Sequence, residues 1–184
     1  MLKQVAVQSS QLLKKILSIF ALVLCIVVAP SAFAANGPGQ CAANSESRQL
    51  DFWLGDWVVT YPGMTGSSAS KVSLALDKCL LTENWEGGKG HKGTNMFAYS
   101  SDDKSWHGMF ADNEGRVHVF EGKVAPGAAE FTGPSRSPNG QAVLNRIKVV
   151  RVNANKVEQS WEKSADNGAT WTMEFQGEYS RKNP

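Results

Sequence analysis

Cysteine and histidine are scarce in this sequence, three of each in 184 residues, and neither is spaced for ready-made chemistry. There is no C-x-x-C, H-x-H or H-E-x-x-H, so no compact zinc or redox motif is present. A charge of one sign is also missing. Nineteen Lys and Arg stand against 17 Asp and Glu, leaving no basic surplus to neutralise phosphates, so nucleic acid is not an expected partner. The sequence contains no G-x-S-x-G elbow and no P-loop, and it lacks the crossover helices that a Rossmann or other parallel α/β site requires.

What is present starts with an address. Lys3, Lys14 and Lys15 precede an apolar run from Ile16 to Ala29, followed by Pro30-Ser31 and the small-x-small pattern Ala32-Phe33-Ala34. This reads as a secretory signal peptide over residues 1–34. The run has 14 residues, short of the about 20 that cross a bilayer, so no stable membrane anchor is expected after cleavage. Cys25 follows Leu24, where a lipoprotein signal places a small residue. The expected location is the periplasm or the secreted medium. Losing three lysines leaves 16 basic and 17 acidic residues, so the basic isoelectric point belongs to the signal. Cys41 and Cys79 remain as an even pair, and an oxidising compartment allows them to bond.

Residues 35–47 are small and polar and read as a flexible lead, with a single domain over 48–182. Within it, Gln49–Leu54 could form a turn or two of helix before Gly55. The rest alternates with period two. Trp171, Met173, Phe175, Gly177 and Tyr179 fall on one face, and Val157, Gln159 and Trp161 alternate with Glu158, Ser160 and Glu162. Ser164–Trp171 between them has the turn composition of a hairpin. Eight more strand candidates cover Trp57–Tyr61, Ser70–Leu76, Leu80–Glu86, Thr94–Ser100, Trp106–Ala111, Val117–Val124, Ala129–Thr132 and Val143–Val152. About ten short strands separated by turns imply an all-β fold. Trp, Glu, Asn, Arg and His mix on both faces, which a closed antiparallel barrel with a partly polar interior accommodates better than a tight sandwich.

Three stretches carry a family resemblance: Arg48-Gln49-Leu50-Asp51-Phe52-Trp53-Leu54-Gly55-Asp56-Trp57, Lys78-Cys79-Leu80-Leu81-Thr82-Glu83-Asn84-Trp85, and Gln159 to Trp171. Over residues 41–181 the chain resembles a bacterial exported family with an F-D-F-W-L-G-x-W opening and a closing S-x-D-x-G-x-T-W hairpin. That resemblance implies a lipocalin-like (calycin-like) barrel with a short N-terminal helix at one end, and no common reaction. It also implies pairing of Cys41 with Cys79. The chain departs from the pattern at Gly93–Asp102, where such chains run G-x-S-x-N-x-Y-D, and His91-Lys92 stands just before. The closing hairpin also fits the Asp-box of sialidases, which is a fold device there and occurs here once.

The expected ligand site is an aromatic-lined cavity with a few convergent polar groups: Trp57, Glu83, Trp85, Asn95, Trp106, His118, Arg146 and Trp161. Glu83 and Trp85 share a strand face just beyond Cys79. Arg146 lies opposite the apolar Val143, Ile147 and Val149, and the pattern alone leaves open which face turns inward. His91, His107 and His118 could meet only across strands. No metal and no cofactor is called for, with haem on one of these histidines the lesser alternative. The leading expectation is a non-enzymatic barrel that binds a small apolar or aromatic molecule. The alternatives are a lyase, isomerase or hydrolase using Glu83, His118 or Arg146 in general acid/base catalysis, and a packed structural or interaction protein of the envelope.

Overall fold

The computed structural model describes residues 39–183. The expected signal peptide, Cys25 and the first residues of the lead lie outside the described residues. Ten antiparallel strands form one closed barrel: β1 Gly55–Thr60, β2 Ser67–Ala75, β3 Leu80–Glu86, β4 Lys92–Ser100, β5 Ser105–Asp112, β6 Val117–Ala125, β7 Ala128–Arg136, β8 Ala142–Asn153, β9 Lys156–Ser164 and β10 Thr172–Arg181. Each strand pairs with its neighbours in sequence, and β1 meets β10 from Trp57↔Arg181 to Thr60↔Glu178 to close the sheet. The closed all-β barrel expected from the alternation is the architecture observed. Closure leaves no edge strand to template aggregation.

Up-and-down topology sends alternate connections to opposite ends. The expected short helix takes the form of 3-10 turns, Glu46–Arg48 and Asp51–Trp53, which enter at the end holding the β2–β3 connection. Leu50 and Trp53 are fully buried there, and the Trp57 indole donates to the Trp53 carbonyl at 2.9 Å. Arg181 lies over the Trp57 ring at 4.4 Å and donates to the Leu54 carbonyl at 3.0 Å. Gly55 makes this crossing possible. Its φ is 138°, and a Cβ would sit 2.3 Å from the Arg181 guanidinium.

Cys41 and Cys79 form a disulfide, tying the lead to the β2–β3 turn. Arg48 donates to the Lys78 carbonyl from the same segment. The lead is therefore fastened from Cys41 onward. Above the plug the barrel is packed with Phe97, Phe120, Phe131, Ile147, Val149, Val157 and Val59, all almost wholly buried.

Two local features shape the open end. In the β9–β10 connection, Ser164 donates to Asp166 at 2.7 Å, and the Thr170 amide and hydroxyl donate to the same carboxylate at 2.9 and 2.6 Å. Those bonds hold the Asp166 carboxyl down at about 2. This loop is thus fastened by its own hydrogen bonds. Next, β10 changes register between Met173 and Phe175. The extra residue breaks the alternation expected from Trp171 to Tyr179: Phe175, Gly177 and Tyr179 keep the inward face, while Met173 is exposed and Trp171 stacks with Arg146 outside.

The disulfide closes a separation of 38 residues, for which chain entropy gives an upper value of about 4 kcal/mol. Replacing both cysteines by serine is expected to lower unfolding free energy by about 2–4 kcal/mol in urea titrations while β-sheet circular dichroism persists.

Candidate functional site

The barrel is blind at the plugged end and hollow at the other. A cavity of about 280 Å³ opens between the β3–β4, β5–β6 and β9–β10 connections. Its position follows from side-chain size along the inward faces. Below it, phenylalanines and β-branched residues fill the lumen. At its floor the inward residues become Ser70, Glu83, Asn95 and Gln159, too short or too polar to fill the space, and all are buried.

Glu83 is the centre of that floor and is only 1% exposed. Ser70 Oγ and Asn95 Nδ2 each donate to it at 2.8 Å, to different oxygens. Gln159 Nε2 reaches it at 3.5 Å. The Tyr179 hydroxyl lies 2.9 Å from Glu83 Oε1 and 2.5 Å from Gln159 Oε1. One phenolic proton faces two acceptors. If Glu83 carries a proton on Oε1, it donates to Tyr179 and Tyr179 donates to Gln159, so every contact is satisfied. Burial points the same way, raising the Glu83 carboxyl above its ordinary range against the lowering by Ser70, Asn95, Tyr179 and Gln159. Burial also pushes the Tyr179 phenol up, aided by Glu83, so it stays protonated.

The walls are rings. Phe110 and His118 meet Trp161 edge-on at 5.0 and 5.1 Å, and Trp85 meets Phe175 at 6.5 Å. Trp161 is held from the neighbouring strand β8, its indole donating to Asn145 at 2.9 Å while Asn145 donates to Ser135 at 2.6 Å. His118 is kept neutral mainly by burial, with Lys163 and Arg116 adding to the lowering of its pKa. Among the described residues, three buried polar atoms of lining side chains have no protein partner: Asn95 Oδ1, Trp85 Nε1 and His118 Nδ1.

Charges ring the mouth, and they are matched. Arg116 pairs with Asp112 at 2.6 Å and Glu114 at 3.0 Å, and Lys163 pairs with Glu174 at 2.9 Å. Burial opposes ionisation of Asp112, but hydrogen bonds from Arg116 and His91 hold it down at about 2. His91, Asp112 and Glu114 stand close enough to share a cation, yet Arg116 already occupies both carboxylates.

Of the residues expected to form the site, Glu83, Trp85, Asn95, His118 and Trp161 come together on this lining. Three do not. Trp57 points inward but lies beneath the cavity, packed on the plug. Trp106 is at the opposite end, bonded to Gln49 at 3.1 Å beside a wider depression of about 780 Å³ rimmed by Glu46, Lys104 and Lys123. Arg146 faces outward, 2.8 Å from Glu162 and over the Trp171 ring, because Asn145, Ile147 and Val149 take the inward positions of β8. Phe110, Gln159, Phe175 and Tyr179 also line the cavity, outside the set expected from the sequence. Gln159 shares a strand face with Trp161, and Tyr179 with Phe175, but only the register puts them beside Glu83.

No family model and no curated protein matches this chain.

A carboxyl with a raised pKa stabilises the fold below its unfolded value, near 4.5, and loses that contribution as pH rises through the folded value. The stability of the native chain relative to Glu83→Gln is therefore expected to fall as pH rises above 4.5, with a slope of up to about 1.4 kcal/mol per pH unit. His118 acts in the opposite sense in both proteins and cancels in the difference. A difference that stays constant or grows with pH, measured by urea unfolding, means that Glu83 is ionised throughout.

Proposed function

We propose that this chain is an exported binding protein, of the periplasm or the secreted medium, whose barrel holds a small aromatic molecule. The observation that carries this reading is the blind, ring-walled cavity with unpartnered polar atoms on its lining. Its volume lies at the lower edge of the range of small-molecule sites. The disulfide supports an oxidising compartment. Among the described residues no helix is long and apolar enough to cross a membrane.

Glu83 supports a second reading, because the buried carboxyl that lines the cavity could deliver a proton to a bound molecule through general acid catalysis. The two readings separate on Glu83→Gln: a binding protein keeps its ligand, and a general acid loses turnover while ligand is still bound.

Protein recovered from periplasm is expected to show a retained mass in native mass spectrometry. If it is recovered empty, indole or naphthalene is expected to change the fluorescence of Trp85 and Trp161. Protein that is empty and unresponsive to indole, naphthalene and haem would sink the binding reading.

A further inference from the structure

The proposed binding role leaves the class of ligand open, and the lining narrows it. Aromatic walls by themselves would suit a hydrocarbon. Yet Trp85 offers an indole N–H without an acceptor, and Asn95 offers a carbonyl oxygen without a donor, on a side chain that is 6% exposed. A buried polar group left unpaired is costly, and a hydrocarbon in the cavity leaves both of these groups unpaired. A ligand with one acceptor and one donor removes both penalties.

Placement makes simultaneous contact feasible. Glu83 on β3 is opposite Asn95 on β4, and Trp85 is two residues further along β3, so Trp85 and Asn95 are diagonal neighbours on the inward face. The Asn95 amide is not free to turn its nitrogen to the ligand, because Nδ2 already donates to Glu83 at 2.8 Å. His118 Nδ1, level with Asn95 two strands along on β6, adds a third unpartnered group.

Negative charge on the ligand is disfavoured. The floor carboxyl is surrounded by Ser70, Asn95, Gln159 and Tyr179, with no cation against it among the described residues. At the mouth, Arg116 and Lys163 are engaged by Asp112, Glu114 and Glu174. An anion entering the cavity would have to break one of these pairs or lie unpaired among rings.

Resting on the binding reading above, we infer that the cavity selects a flat aromatic heterocycle without negative charge that carries both a hydrogen-bond donor and a carbonyl acceptor. Asn95 Oδ1 takes the donor, Trp85 Nε1 gives to the acceptor, and Phe110, Trp161 and Phe175 enclose the ring.

Four bicyclic probes of similar size test this: quinolin-2-one and quinolin-4-one, with N–H and C=O adjacent or across the ring, naphthalene, which has neither, and 2-naphthoate, an anion. Dissociation constants come from isothermal titration at pH 7 on the purified protein. At least one quinolinone is expected to bind about tenfold or more tightly than naphthalene, and naphthoate more weakly than either quinolinone. Trp85→Phe keeps a ring and removes the N–H, so it is expected to reduce the preference for the quinolinone over naphthalene about tenfold. Equal binding of naphthalene and quinolinones, tighter binding of naphthoate, or a Trp85→Phe protein that keeps the original preference would overturn the donor–acceptor assignment while leaving a binding barrel in place. If none of the four binds to protein that is folded by circular dichroism and empty by native mass spectrometry, both this assignment and the binding reading fail.

Discussion

The short ladder between β1 and β10 is the constraint on which the rest of the molecule depends. It joins Trp57–Thr60 to Glu178–Arg181 and turns a ten-strand meander into a barrel. Tyr179, within that ladder, reaches Glu83 from a position 96 residues away in the chain. Arg181, at the other end of it, stacks on Trp57 and fastens the turn that plugs the lumen. Closure, the floor of the cavity and the seal beneath it therefore share one seam.

Filling and emptiness in the lumen follow from which residues the pleat turns inward. Phe97 and Phe131 approach at 4.5 Å in the packed half, and Gly122 leaves room for the Phe131 ring. One level higher, Glu83 and its partners use the interior for hydrogen bonds. A carboxyl cannot be enclosed by rings without polar company, so the polar cluster forces the aromatic packing apart. The hollow begins there, and the tryptophans above it form walls instead of a core.

Much of this was legible in the sequence because strand alternation is a local signal. The ten strands, the hairpin at Ser164–Trp171 and the shared face of Glu83 and Trp85 all come from spacing over a few residues. Arg146 shows where local reading ends. Its strand presents a mixed outer face and a largely apolar inner one, and only pairing with β7 and β9 decides that Asn145 goes in and Arg146 goes out. Trp106 lies apart from the other expected residues for a related reason: it faces inward, but its height along the barrel depends on the register of three strands. The bulge before Phe175 has no turn residue to mark it. The Glu83 cluster draws on β2, β3, β4, β9 and β10, and a sequence scanned in windows does not bring those strands together.

The order of the strands has a consequence for how the molecule is made. Every pairing but one joins neighbours in the chain, so nine ladders can zip as each strand appears. The exception is the seam, whose second half, β10, is the last strand in chain order. A chain emerging from a ribosome or a translocation pore with its N-terminus leading must carry β1 unmatched on one side until β10 has followed. Tyr179 arrives with that last strand, so Glu83 waits for one of its partners until the barrel shuts. Assembly of the cavity and completion of the fold are then a single late event, which keeps a half-emerged chain from acquiring a finished site.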